Sequence, residues 1–240
     1  MTFKQICAGL LAAGLFSFMA DAAVRPQLTR VVAYAEDKET TVGVINDSDT
    51  TYMLQSWLED LQGRDSGIPL VLTPPVMKME GKSEGKLRLV VMRGEIPQDR
   101  ESVYWLSLQE IPPKAKDTAN RLVVAVRSRI KVFVRPAGLT SEGARASAGA
   151  LRWSLQREGS QTWLVATNPT PYYISFGRLT AGCESCKKVT PENKNTMVPP
   201  KGSQRYSLPS QAGASPVAVT WSAMNDWGGA GEEHSQEVRP

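Results

Sequence analysis

Two cysteines three positions apart, in Cys183-Glu184-Ser185-Cys186, have a spacing that could support thiol chemistry. A reactive pair needs its first thiolate stabilised, usually by a helix N-terminus or a nearby cation. Here Gly182 precedes the pair, Glu184 adds negative charge, and the following KKVTP has no helical pattern. Cys183 and Cys186 therefore read as a structural disulfide, or an incidental pair, at a hairpin tip. Structural zinc would need two further ligands, which the sequence does not offer. His234 is the only histidine and lies in the polar stretch GGAGEEHSQEVRP from residue 228 onward. That stretch reads as a frayed tail, so His234 is expected to be solvated and idle. A histidine-based triad and a His-rich metal cluster are thereby excluded. No phosphate-binding loop or dinucleotide fingerprint is present, and no cofactor or metal is expected. Asp99, Glu101 and Glu110 lie near one another in sequence, as carboxylates do by chance in a chain of this size. Fixed positive charge within strand-like segments remains, at Arg30 and Lys131. If these two converge, they can hold a carboxylate, with arginine supplying a fork and lysine a point charge.

The elements that would position these residues alternate with period two. Candidate strands cover residues 28–35, 41–46, 52–59, 70–72, 86–92, 103–110 and 121–134, separated by turn signals such as NDSD and GKSEG. Seven strands in about 110 residues is the spacing of an immunoglobulin-like sandwich. Residues 136–149 (PAGLTSEGARASAG) are small, polar and glycine-rich, as in a linker or domain elbow. Strand patterns resume at 151–156, 162–167, 172–179, 204–208 and 217–223, which predicts a second, smaller β-sandwich. The segment 120–136 (NRLVVAVRSRIKVFVRP) is unusual because about 14 consecutive residues read as one strand, against the usual 5–6. Leu122, Val124 and Val126 share one face, and Arg127, Arg129 and Lys131 share the other. A long apolar row beside unpaired backbone invites a partner. It also leaves self-association of the free chain open.

Lys4, the apolar run 6–20 and the small-residue site Ala20-Asp21-Ala22 form a secretory signal, with cleavage expected before Ala23. The run is shorter than the ~20 residues a spanning helix needs, and no later segment is long and apolar enough, so no membrane insertion is expected. Cys7 leaves with the signal, and the two remaining cysteines suit one disulfide in an oxidising compartment. The net charge of +4 is spread along the chain, and export makes nucleic acid an improbable partner.

The stretch 96–112, IPQDRESVYWLSLQEIP, closely resembles the signature of the periplasmic pilus-assembly chaperones, the PapD-like family of the chaperone–usher pathway. TPPV at 73–76, IPP at 111–113, KVFVRP at 131–136, NPTPYY at 168–173 and NDWGG at 225–229 match in order, so the likeness covers nearly all of the mature chain. The resemblance implies an all-β protein of two immunoglobulin-like sandwiches, residues 23–138 and 139–240 after a signal at 1–22, set at an angle with a cleft between them. It implies a non-enzymatic chaperone that caps pilin subunits by donor-strand complementation and hands them to an outer-membrane usher. Arg30 and Lys131 would anchor the subunit's C-terminal carboxylate, and Leu122, Val124 and Val126 would fill its groove. Glu101, Arg135 and Asp226 would form an interdomain ion network. Ser107 stands where the family commonly has asparagine. The polar segment after Gly229 lacks the cysteine-paired final strand of some members, so the edge of domain 2 is expected to be trimmed. The short connection 112–121 points to the short-loop subgroup, which generally serves rod-like pili. Two other classes stay open on residues alone: an exported adhesin or pilus subunit, and a thiol oxidoreductase using Cys183 and Cys186.

Overall fold

A computed structural model describes residues 22–114, 124–182, 190, 197–208 and 216–239. The first half forms a sandwich of two sheets. Strands β1 (Val24–Pro26), β3 (Thr40–Asn46), β7 (Glu84–Val91) and β5 (Leu70–Thr73) form one sheet, in that order. The other has the order β2 (Arg30–Tyr34), β9 (Arg127–Arg135), β8 (Ser102–Ile111), β4 (Tyr52–Glu59) and β6 (Val76–Met79). Alternation sends Val42, Val44, Leu87 and Leu89 inward from the first sheet, to meet Leu54, Leu106, Ile130 and Val132 from the second. Every strand pair here is antiparallel except β2 with β9, which run parallel in the register Arg30↔Lys131 to Tyr34↔Arg135.

The second half repeats the architecture with its own core, built around Trp153, Leu164, Ile174, Tyr206 and Trp221. Its sheets are β10 (Arg152–Glu158), β11 (Gln161–Asn168) and β14 (Gly202–Leu208), facing β13 (Met197–Val198), β12 (Ile174–Gly182), β15 (Val217–Met224) and β16 (Ala230–Val238).

Three sequence expectations need correction. The glycine-rich linker contains a helix, α1 (Ser141–Ser147), whose N-terminus is capped by Thr140 Oγ1 accepting from Gly143 N at 3.1 Å. One cap and two helical turns leave too little periodicity to detect in a sequence. The expected frayed tail is instead strand β16, laddered to β15 from Val217↔Val238 to Ser222↔Glu233. An edge strand is held by backbone bonds along one side and needs few apolar residues, which is why AGEEHSQEV looked unstructured. His234 is accordingly not idle in solvent, because its ring stacks on Trp221 with centroids 5.6 Å apart. The long strand expected over 121–134 begins, among the described residues, at Arg127. Val126 leaves the regular ladder because the buried Glu110 takes over its backbone: Val126 N donates to Glu110 Oε1 at 3.2 Å, and Glu110 N donates to Val126 O at 3.1 Å. The same carboxylate accepts from Val24 N at 2.9 Å, tying the start of the first strand to the foot of β9.

The turn before β16 is where domain 2 touches β2. Asn225 Oδ1 accepts from Trp227 N and Gly229 N, which tightens the loop, and Gly228 sits at φ +84°. A Cβ there would collide with Thr29 Oγ1 in domain 1. Gly228→Ala is therefore expected to lower the thermal midpoint through left-handed strain and this clash, together about 1–3 kcal/mol. Adding Thr29→Ala should recover only the part due to the clash. Calorimetry of the single and double variants separates the two contributions, and an unchanged midpoint in Gly228→Ala would contradict the contact.

Candidate functional site

The two candidate cations meet. Arg30 opens β2, Lys131 lies on β9, and the parallel ladder makes them direct register partners on the sheet face turned toward domain 2. Arg30 is only 7% exposed. Its guanidinium lies 5.7 Å from the centre of the Phe133 ring, Nη2 is 2.8 Å from Met224 Sδ, and buried Nε has no hydrogen-bond partner. Lys131 is half-buried, with Nζ 5.6 Å from the centre of the Trp105 ring. Neither cation has an ion-pair partner among the described residues. Burial pulls the Arg30 pKa down, and the field of Asp226 opposes this in part. Burial also pulls Lys131 down, and the neighbouring Arg30 adds to the effect. Two partly desolvated positive charges side by side, neither in an ion pair among the described residues, make a site for an anion. The cleft that Arg30 faces holds about 560 Å³ and is lined also by Phe133, Tyr173, Met224, Asp226 and Trp227.

Backbone leads to the same point. One edge of β9 is paired with β8 from Arg127 to Val134. Strand β2 covers the other edge only from Lys131 onward. Between Arg127 and Ile130 that second edge has no strand on it among the described residues, and the bare stretch ends at Arg30 and Lys131. Val124 is 60% exposed and Val126 partly exposed just beyond it. Leu122 lies outside the described residues, as do Cys183 and Cys186.

Behind the cations, Glu101, Arg135 and Asp226 come together where the domains join. Arg135 is 2% exposed. Its Nε donates to Glu101 Oε1 at 2.7 Å, and Nη1 and Nη2 form a fork onto Asp226 with both bonds at 2.9 Å. Glu101 Oε2 accepts from Tyr173 N at 2.8 Å, so the carboxylate of one domain also holds backbone of the other. Tyr34 and Ser141 close the ring: Arg135 Nη1 donates to the Tyr34 hydroxyl, and Ser141 Oγ donates to Asp226 Oδ2. Val103, Phe133 and Met197, with Val32 and Tyr173 against them, form an apolar plug beside this ring.

The two carboxyls respond to the junction differently. Burial pushes Glu101 upward, against the pull of Arg135. Burial acts the same way on Asp226, but hydrogen bonds from Arg135 and Ser141 outweigh it and hold that carboxyl below its ordinary range. The Asp226 contribution is therefore complete above the unfolded value of about 3.9 and is lost as pH falls through the lower folded value. Asp226→Asn should flatten the acid limb of the thermal midpoint against pH below about 4. A limb of unchanged slope would assign acid sensitivity to other groups.

One further arrangement escaped the sequence reading. Glu59, 8% exposed, accepts at Oε2 from Ser107 Oγ and Arg127 Nη2, each at 2.6 Å, and lies 3.3 Å from Arg129 Nη2. Burial would push this carboxyl up, but bonds from Ser107 and Arg127 hold it below its usual range. Arg127 lies over Trp57 at 4.6 Å and Arg129 over Trp105 at 4.8 Å. Ser107, the departure from the family pattern, is the buried hydroxyl beneath this cluster. The shared face of Arg127, Arg129 and Lys131 was visible in the sequence. The tryptophans and glutamate come from strands 22 to 74 residues away, and no local pattern signals them.

Comparison with known proteins decides the family. Residues 23–140 match the model described as pili and flagellar-assembly chaperone, PapD N-terminal domain, and residues 146–235 match the pili assembly chaperone PapD, C-terminal domain. The chain belongs to the PapD-like pilus-assembly chaperones. FimC, a chaperone protein of Escherichia coli K12, is 37% identical over 229 residues, covering 91% of this chain and 88% of its own. The crystal structure of the YadV chaperone superposes with a TM-score of 0.75 at 30% identity, over 90% of this chain and 99% of its own. The SafB chaperone of Salmonella enterica, solved in complex with the SafA pilin, shares the fold at a TM-score of 0.75 and 24% identity, over 92% and 98% of the two chains. Membership of this chaperone family favours neither the adhesin nor the thiol-oxidoreductase alternative. Among the described residues of the chaperone, no helix is long and apolar enough to cross a membrane.

Proposed function

We infer that this chaperone captures pilus subunits in the periplasm by lending them a strand and passes them to an outer-membrane usher. The observation that carries the reading is a strand edge, bare among the described residues, that ends in a buried and a half-buried cation with no ion-pair partner among those residues. A subunit strand laid along residues 124–130 would meet β2 end to end. If its terminal carboxylate reaches Arg30 and Lys131, it must run parallel to β9, as β2 itself does. Main-chain bonds then supply affinity, and Leu122, Val124 and Val126 enter the subunit's groove. The carboxylate fixes register, because a one-residue slip would turn the wrong face of the donor strand inward. Glu101, Arg135 and Asp226 hold the orientation of two domains, which we divide at 138/139, in a mature chain beginning at Ala23. Relatives that are pilus chaperones, and the SafB–SafA complex, support this assignment.

The test is co-expression of the full precursor with the pilin encoded beside it, followed by purification from periplasm and N-terminal sequencing. The expected result is a stable 1:1 complex containing a chaperone that starts at Ala23. Recovery of the chain as a component of purified fibres, with no soluble complex, would overturn the reading.

A further inference from the structure

The clamp at Arg30 and Lys131 accounts for one end of a captured strand and leaves the row beside it without a role. Arg127, Arg129 and Lys131 project from alternate positions of β9 onto one face. Their spacing of roughly 6.7 Å is the pitch at which a neighbouring parallel strand presents its own alternate side chains. All three lie over indoles, Arg127 on Trp57 and both Arg129 and Lys131 on Trp105, which limits the rotamer freedom left to lose on binding. Both arginine side chains remain 38% exposed. Glu59 is the only carboxylate within ion-pair distance of the row among the described residues, so three cations face one anion. Glu59 lies deep, bound by Ser107 and Arg127, and its single charge leaves the outer surface of the row positive.

We propose that the row Arg127–Arg129–Lys131 reads the side chains of the captured terminal strand and selects one carrying carboxylates on the face turned toward it. This rests on the capture of a C-terminal strand inferred above. The row stands on the strand that carries the bare edge, its arginines leaning inward over β8 and β4, so a strand pairing with residues 127–130 would lay one set of alternate side chains along the same face and turn the other set away. Charge complementarity at that spacing discriminates by position as well as by sign. Neutral polar side chains would gain little from guanidiniums already stacked on tryptophan, and lysines would be repelled.

The probes are 12-residue peptides of alternating valine and threonine with a free C-terminal carboxylate, titrated calorimetrically into the mature chain at low salt. One set carries glutamate at the second and fourth positions from the C-terminus and another at the third and fifth, each with a glutamine twin. A gain of about tenfold in affinity over the twin is expected for one set only, the size of a charge-assisted hydrogen bond. The other set should stay within about twofold of its twin, and the gain should disappear at high salt and in the double variant R127Q/R129Q. If both glutamate sets bind like their twins while amidation of the C-terminus still weakens binding, the row does not read charge and the anchor stands. Insensitivity to amidation would instead overturn the anchor. Failure of every free-carboxylate peptide to bind would count against both.

Discussion

Arg30→Ala and Lys131→Ala are each expected to weaken subunit capture by at least tenfold, and the double variant should abolish it. A hydrogen bond to a charged group is worth about 1.5–3 kcal/mol, and burial of Arg30 places the anchor toward the upper part of that range. The same substitutions should not unfold the free chaperone. In the free protein these cations have no ion-pair partner among the described residues, and burial pulls both pKa values down, so their charge opposes folding. Lys131→Met, which keeps the apolar stem over Trp105, should melt at the same temperature as the parent or a few degrees above it, an effect of about 1 kcal/mol. Pull-down from periplasm measures capture, and thermal melting of the same preparations measures stability. Full capture by both alanine variants would remove the anchor assignment. A large loss of stability would show that the cations serve the fold.

Arg135→Ala should have the opposite profile. Its guanidinium satisfies Glu101 and Asp226 at once and reaches the Tyr34 hydroxyl, and it is among the largest fully buried side chains of the molecule. Removing it strands the Glu101 carboxylate where burial already disfavours charge. Breaking a buried pair in this way costs about 3–5 kcal/mol, a large share of the stability of a domain. Glu101→Gln should cost less, because an amide oxygen can still accept from Tyr173 N. The loss in Arg135→Ala should moderate at low pH, where protonation relieves the stranded carboxyl. A midpoint within about 0.5 kcal/mol of the parent would mean that the apolar plug of Val103, Phe133 and Met197 holds the junction unaided.

Sequence legibility followed the range of the interactions. Strands with one buried face, such as β3 and β7, showed their alternation directly. Strand β16 did not, since its stability comes from backbone pairing with β15 and from His234 on Trp221. Helix α1 was hidden by its length and by alanine, glycine and serine, which suit an elbow equally well. Arg30 and Lys131 stood out as cations inside strand patterns, but their proximity depends on a parallel pairing between segments 101 residues apart. Alternation alone cannot distinguish parallel from antiparallel pairing, so the family likeness was needed to bring them together. The Glu59–Ser107–Arg127 cluster left no trace, because its members share neither an element nor a motif.

The short strand β2 has a consequence beyond the placement of Arg30. It occupies the continuation of the very edge that, among the described residues, stands bare between Arg127 and Ile130. Any strand sharing that edge must stop where β2 starts, so the capture site proposed above fits the end of a polypeptide and not its middle. A subunit still being synthesised has no free terminus to offer, and one extended by even a short tag would run into β2. In the proposed capture geometry, the fold thus accepts a client only at a free C-terminus.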